Sequence, residues 1–79
     1  MLLYKLLKLG KYQHYKGQFY EVIGEATHTE TREELALYKM LYETKDYEFG
    51  SLWVRPKNMF LETVVYKGKE VPRFKYVGG

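Results

Sequence analysis

The chain has no cysteine, and alanine occurs only at Ala26 and Ala36. The absence of cysteine excludes disulfides, thiolate catalysis and cysteine-ligated zinc, and it fits a reducing compartment such as the cytoplasm. The scarcity of alanine removes the best helix former. In contrast, 18% of the residues are aromatic and nine of them are tyrosine, a composition that favours pleated, half-buried strands. The composition therefore predicts a β-rich fold.

Long hydrophobic runs are also missing. The most apolar stretch, MLLYKLLKLG at the start, is interrupted by Lys5 and Lys8 and is too short to cross a bilayer. Its leucines suit either one face of a short amphipathic helix or an extended segment packed over the open end of a barrel. We expect no membrane association. We predict a lead-in at residues 1–8, one domain at residues 9–77 and a flexible tail at residues 78–79, in keeping with a chain of 79 residues.

Charge is unevenly distributed along the chain, whose net charge is +3. Residues 1–20 carry +4, residues 21–50 carry −5 and residues 51–79 carry +4. If the two ends pair in space, one face of the protein is basic and attracts phosphate groups. The alternative is that the lysines only keep a small β protein soluble and protect its strand edges.

Two hairpins are predicted from glycine-containing turns. KYQHYKGQFYEVIGEA turns at Lys16 and Gly17, with Gly24 marking a bulge or bend in its second strand. ETVVYKGKEVPRFKYV turns at residues 67–68, and Pro72 makes its second strand an edge or a bulged strand, because proline lacks the N–H donor. Between the hairpins, SLWVRP reads as a strand and PKNMF as one helical turn with Pro56 at its first position.

The segment EATHTETREELALYKMLY is ambiguous. Thr31 and Glu34 match a helix capping box, and some apolar residues that follow fall at helical spacing. The same run alternates as a strand, with Ala36, Tyr38, Met40 and Tyr42 on one face. Periodicity alone does not separate the two. The tyrosines and the short neighbouring elements favour a strand over residues 34–42.

Three motifs together resemble one known family. GKYQHYKGQFYEVIGEATHTET, LWVRPKNMFLE and VPRF are similar, in this order, to the small bacterial family called domain of unknown function 1653 (DUF1653). The resemblance extends over residues 9–77. It implies an all-β fold, a small SH3-like barrel of about five strands with one short 3-10 turn, and it implies no established activity.

The segment THTET is the strongest candidate for a catalytic or metal-binding site. On an extended chain His28 and Glu30 point the same way, and with His14 they would form an open metal site or an acid–base pair. The structural alternative is that Thr29 or Thr31 caps a turn and His28 bonds the backbone. Because nothing in the sequence brings His14 near His28, we expect no metal and no cofactor.

A binding surface is better supported by the sequence. Flat rings and guanidinium groups are typical of small barrels that recognise partners, and the candidates are Tyr12, His14, Tyr15, Trp53, Arg55 and Arg73, with His28 and Glu30 beside them. The alternatives are that Tyr12 and Trp53 belong to the core and that Arg55 forms an ion pair with Glu62.

The sequence therefore predicts a non-enzymatic binding module, active as a monomer or weak homodimer. A protein or peptide partner ranks first, because the net charge is low and the centre of the chain is acidic. Single-stranded nucleic acid ranks second, because basic residues alternate with aromatic ones at both ends. A small metal-dependent or His/Glu-dependent enzyme ranks third.

Overall fold

The structure, a computed structural model, describes residues 7–78. It contains seven strands and one helical turn: β1 (Gly10–His14), β2 (Phe19–Thr27), β3 (Glu34–Met40), β4 (Leu52–Pro56), α1 (Lys57–Phe60), β5 (Thr63–Tyr66), β6 (Lys69–Pro72) and β7 (Phe74–Gly78). The all-β fold predicted from the sequence is confirmed, with seven strands rather than about five. No helix in the described part of the chain has the length and hydropathy needed to cross a membrane.

The strands form two antiparallel sheets. One has five strands in the order β4-β3-β2-β1-β7, and the other is the two-stranded β5–β6 ribbon. The pairing of β1 with β7 joins the beginning and the end of the domain, with Gln13 opposite Lys75. β1 and β7, which belong to the two basic segments of the chain, therefore lie side by side, as the prediction of a basic face requires.

The predicted lead-in at residues 1–8 lies mostly outside the described residues, and so do most of its leucines. Leu7 is described and belongs to the core, with 7% of its surface exposed. At the other end, Gly78 was predicted to begin a flexible tail. It is instead the last residue of β7 and pairs with Lys11 of β1.

Both predicted hairpin turns are confirmed. Gly17, in the turn between β1 and β2, has a φ of 110°, which a residue without Cβ adopts at little cost. Lys67 and Gly68 both have positive φ, 51° and 79°, as a two-residue hairpin loop of the primed type requires. The expected irregularity at Gly24 is a bulge, because the β2–β3 register shifts between Val22 and Gly24.

The ambiguous segment is a strand, β3. Ala36, Tyr38 and Met40 are buried along one face, as the strand alternation predicts. The strand ends at Met40, two residues before its predicted end. The threonine of the apparent capping box serves a turn instead, since the Thr31 hydroxyl accepts a hydrogen bond from the Glu33 N–H at 3.2 Å.

The helical turn after Pro56 was predicted as a 3-10 turn and forms one turn of α-helix. The Leu61 N–H donates to the Lys57 carbonyl at 3.0 Å, four residues back, as in an α-helix. Pro56 itself remains extended, with a ψ of 132°, and precedes the helix instead of opening it. The turn buries Phe60 completely, with 1% of its surface exposed.

Phe60 is the centre of the core. Its ring stacks on Phe74 of β7 at a centroid distance of 4.1 Å, with 7° between the ring planes. Tyr12 and Tyr38 contact the Phe60 ring at 5.2 and 5.4 Å. This stack joins α1 to the far edge of the five-stranded sheet. Much of the core is therefore aromatic, as expected of a chain with few aliphatic residues to spare.

Lys57 is a buried charge next to this core. Only 4% of its surface is exposed, and its Nζ lies 3.0 Å from a Glu25 oxygen and 3.6 Å from a Glu34 oxygen. Burial by itself lowers the pKa of Lys57, but the hydrogen bond to Glu25 and the negative charges of Glu25 and Glu34 outweigh it and raise the pKa. The ion pairs fasten α1 to the β2–β3 hairpin.

Replacing Phe60 by leucine should lower the free energy of unfolding by about 1–2 kcal/mol, because the stacked ring pair and some core volume are lost. Urea denaturation followed by circular dichroism would measure this. Met59→Leu is the matched control, because Met59 is 43% exposed and lies in the same helical turn. Equal stability of the two variants would contradict the central role of the stack.

The two sides of the Lys57 ion pairs should differ in their effect on stability. Glu25→Gln combined with Glu34→Gln removes both carboxylates from a buried ammonium group, and should lower the free energy of unfolding by about 3 kcal/mol. Lys57→Met should cost less than about 1 kcal/mol, because the glutamate side chains are 35% and 57% exposed and stay hydrated.

Urea denaturation of both variants gives the comparison, and a larger loss in Lys57→Met would contradict it. The pH dependence has a defined sign. Because the pKa of Lys57 is raised in the folded state, its contribution is fully present below its ordinary pKa of 10.5 and is lost only as the pH rises through the folded pKa.

Candidate functional site

Two clefts flank the Phe74 ring on the surface of the domain. The first, which we call the tyrosine cleft, has a volume of about 300 Å³. Its aromatic lining consists of Tyr20, Tyr38, Tyr42, Tyr47 and Trp53. Met40, Thr44 and Arg55 complete the lining. Five of these residues lie in strands, and strand alternation turns them toward the same side: Tyr20 of β2, Tyr38 and Met40 of β3, and Trp53 and Arg55 of β4.

The rings of the tyrosine cleft pack edge to face. Tyr20 contacts Tyr38 and Tyr42 at 5.4 and 5.5 Å, and Tyr47 contacts Trp53 at 4.7 Å. The hydroxyls of Tyr20 and Tyr42 are 2.5 Å apart and share a hydrogen bond. Burial, followed by this hydrogen bond, raises the pKa of Tyr20 well above its usual value, so the hydroxyl stays protonated.

Arg55 supplies the charge of this cleft. Its Nε donates to the Tyr38 hydroxyl at 3.3 Å, and its guanidinium carbon lies 5.6 Å from the centroid of the Phe74 ring. Within residues 7–78 no carboxylate lies within 4 Å of the guanidinium group. The alternative that Arg55 forms an ion pair with Glu62 is wrong, because Glu62 pairs with a different arginine.

That arginine is Arg73, which was a candidate for ligand binding. Its Nη2 lies 2.6 Å from Glu62 Oε1, and its Nε donates to the Met59 carbonyl at 3.1 Å. The side chain therefore links β7 to the end of α1. These contacts give Arg73 a structural role, and its part in ligand binding stays a prediction.

The second cleft lies where the β5–β6 ribbon meets β1 and β7, and it has a volume of about 420 Å³. We call it the lysine cleft. Its lining includes Gln13, His14, Tyr15, Tyr66, Val71 and Lys75. Tyr15 and Tyr66 are in edge contact at 5.2 Å, and this contact joins the ribbon to the sheet. The candidates His14 and Tyr15 are thus side by side in this cleft.

His14 stands between the two clefts. Its ring is 4.5 Å from Tyr15 and 5.0 Å from Phe74, and its Nδ1 accepts a hydrogen bond from the Lys16 N–H at 3.1 Å. Burial lowers the pKa of His14, and the positive charges of Arg55, Arg73 and Lys16 lower it further. The imidazole is therefore neutral at pH 7 and lies in a positive potential.

The candidates from THTET lie elsewhere. His28 and Glu30 are exposed at the tip of the β2–β3 hairpin, where His28 Nδ1 accepts hydrogen bonds from the N–H groups of Glu30 and Thr31 at 3.1 and 3.3 Å. His14 lies near the opposite end of β2, roughly 30 Å of strand away. Within the described residues no group of three or more side chains is arranged to hold a metal ion.

Tyr12 is also not a surface residue. It is 5% exposed, packs against Phe60, and donates its hydroxyl to the Lys8 carbonyl at 2.7 Å. It belongs to the core, the alternative that the sequence left open. Of the eight candidates, the structure places Trp53 and Arg55 in one cleft and His14 and Tyr15 in the other.

Four tyrosines of the tyrosine cleft, Tyr20, Tyr38, Tyr42 and Tyr47, were missed as site residues. Tyr20 and Tyr38 carry a signal, because strand alternation puts them on the inner faces of β2 and β3, and Tyr42 continues the alternation of β3 two residues beyond its end. Tyr47 carries none, since it lies in the loop between β3 and β4 with no periodic pattern. Its loop is held by the Thr44 hydroxyl, which accepts from the N–H groups of Asp46 and Tyr47 at 3.2 and 3.0 Å.

Comparisons with known proteins agree on one family. The family described as Protein of unknown function (DUF1653) matches residues 10–76. The crystal structure of a DUF1653 protein from Bordetella bronchiseptica is 35% identical to this chain, covers 91% of this chain and 88% of its own, and superposes with a TM-score of 0.82. No curated protein shows significant similarity. The chain therefore belongs to the DUF1653 family.

Proposed function

We propose that this domain is a non-enzymatic binding module that recognises a carboxylate-bearing segment of a protein or peptide partner in the bacterial cytoplasm. Its two sheets would form the SH3-like barrel that the sequence suggests, with the tyrosine cleft as the recognition site. The observation that carries the proposal is Arg55, a half-buried cation in an aromatic cleft with no carboxylate partner among residues 7–78.

The hydrogen-bonding groups of the cleft favour an anionic ligand. Of the two hydroxyl protons on Tyr20 and Tyr42, one is used between them and the other is left to donate. The Tyr38 hydroxyl accepts from Arg55, so its proton is also available. With the terminal nitrogens of Arg55, the cleft offers several donors around one space, which matches a carboxylate.

The surroundings favour a peptide over a polyanion at this site. The β3–β4 loop that carries Tyr47 also carries Glu43, Asp46 and Glu48, with Lys45 as its one basic residue. This negative charge repels a chain of phosphates but tolerates a single carboxylate flanked by neutral or basic residues. The aromatic walls supply flat area for an adjacent apolar side chain.

The charge of Arg55 should decide between acid and amide ligands. A pool of blocked pentapeptides with a fixed central glutamate, titrated into labelled protein and followed by amide NMR, should shift Tyr42, Trp53 and Arg55. A pool with central glutamine should bind about 10- to 100-fold more weakly, because a charge-assisted hydrogen bond is lost.

Arg55→Gln should abolish the preference for glutamate, so that this variant binds the glutamate pool and the glutamine pool with the same affinity. Arg32→Gln is the matched control, because it makes the same charge change in the β2–β3 turn, away from the cleft. A thermal melt of each variant establishes that it is folded. Equal binding of the two pools by the unmodified protein would refute carboxylate recognition.

The paired hydroxyls should contribute separately from the arginine. Tyr42→Phe keeps the ring and its contact with Tyr20 but breaks the hydroxyl pair, so the one proton left to donate is no longer polarised by a second hydrogen bond. We expect glutamate peptides to bind about 3- to 10-fold more weakly, in line with about 1 kcal/mol for a hydrogen bond. Isothermal calorimetry would measure this, with Tyr47→Phe, whose hydroxyl makes no hydrogen bond within residues 7–78, as the comparison. An unchanged affinity in Tyr42→Phe would remove the hydroxyl pair from the recognition surface.

A further inference from the structure

The lysine cleft combines aromatic rings with positive charge. Tyr15 and Tyr66 are both half-buried, so part of each ring remains accessible from the cleft. Lys75 lines the cleft directly. Lys16 Nζ lies 5.8 Å from the centroid of the Tyr15 ring, and Lys67 Nζ lies 5.3 Å from that of Tyr66. Each of the two tyrosines therefore has an ammonium group above its ring.

The register of the β5–β6 ribbon places Lys69 on the same face as Tyr66 and Glu70 on the opposite face. Tyr66 pairs with Lys69 across the β5–β6 ribbon, so both side chains lie on one face of it. Glu70 pairs with Val65 on the opposite face, and Val65 is 73% exposed. Lys75 therefore lines the cleft, Lys16, Lys67 and Lys69 lie near its two tyrosine rings, and no carboxylate within residues 7–78 is ion-paired to any of the four.

The charge of this region is positive well beyond the cleft rim. Within the described residues, β1, β7 and the residues next to them carry Lys8, Lys11, Lys16, Arg73 and Lys75, while residues 21–50, which form most of β2 and all of β3, carry −5.

We propose that the lysine cleft is a second binding site, and that its ligand is single-stranded nucleic acid. An unpaired base would lie against Tyr15 and Tyr66, and the adjoining phosphates would contact Lys16, Lys67, Lys69 and Lys75. Aromatic platforms inside a basic groove are the usual means of holding a single strand without sequence preference. A cleft of about 420 Å³ has room for a base, which a duplex does not expose.

This site is independent of the peptide site proposed above. The two clefts share no lining residue, and Arg55 of one and His14 of the other each contact the Phe74 ring. They also differ in their surroundings, because acidic residues border the tyrosine cleft and lysines border the lysine cleft. A ligand that carries several phosphates is therefore attracted to the lysine cleft and not to the tyrosine cleft.

Fluorescence anisotropy with a labelled oligothymidylate of about ten nucleotides tests the proposal. If three or four phosphates are neutralised, the slope of log affinity against log salt is about −2 to −3, and binding weakens about 15- to 60-fold between about 50 and about 200 mM salt. Lys75→Gln should reduce the magnitude of the slope by about 0.7. Lys39→Gln, which removes the same charge from β3, is the control and should leave the slope unchanged.

The aromatic contribution is tested separately from charge. Tyr66→Leu should weaken binding about 5- to 100-fold, because base stacking is lost, while Tyr66→Phe should bind as the unmodified protein does. Melting curves exclude unfolding, and amide shifts should map to Tyr15, Tyr66 and Lys75. The proposal is overturned if the oligonucleotide does not bind at about 50 mM salt. It is equally overturned if a duplex of the same length binds as tightly, or if the shifts map to Trp53 and Arg55. If the peptide experiments on the tyrosine cleft fail, the test of nucleic-acid binding at the lysine cleft still stands.

Discussion

The stack of Phe60 on Phe74 is the contact on which the rest of the domain depends. It brings a one-turn helix against the last strand of the sheet, at 4.1 Å between ring centroids. The same two rings then support both clefts. The Phe74 ring carries the guanidinium group of Arg55 on the side of the tyrosine cleft and the edge of His14 on the side of the lysine cleft. A change at this stack therefore reaches both sites at once, although neither phenylalanine lines either cleft.

Charge separation is the second organising feature. The chain alternates basic, acidic and basic segments, and antiparallel pairing places β1 of the first segment beside β7 of the third, while Arg55 and Lys57 of the third segment lie beside the acidic β2–β3 hairpin. Lys57 of α1, whose ammonium group is buried, connects the third segment to the acidic one. Its ion pairs with Glu25 and Glu34 hold the helical turn to the acidic hairpin, and Arg73 with Glu62 holds the same turn to the basic strand. The ion pairs on both sides of α1 thus position the stack.

The two proposed sites of this small domain differ in the chemical groups that would bind their ligands. In the tyrosine cleft a single guanidinium group and several hydroxyl donors are arranged around aromatic walls, which suits one carboxylate. In the lysine cleft several flexible ammonium groups surround two rings, which suits a run of phosphates with an unpaired base. A chain with nine tyrosines uses them both in its core and as the hydrogen-bonding walls of a cleft. Tyr12, buried, and Tyr42, at the cleft, show the two uses.

The sequence by itself determined the features that depend on neighbouring residues. The β-rich class, the turns at Gly17 and at Lys67–Gly68, the bulge at Gly24 and the inward face of β3 all follow from local backbone preference and strand alternation. The tertiary structure decided which residues meet across the sheets. It buried Tyr12, paired Arg73 rather than Arg55 with Glu62, separated His28 from His14 and brought the loop residue Tyr47 to the cleft. The reason is physical: contacts between residues distant in sequence depend on strand order and register, and those are set by packing of the whole core around Phe60 and Phe74.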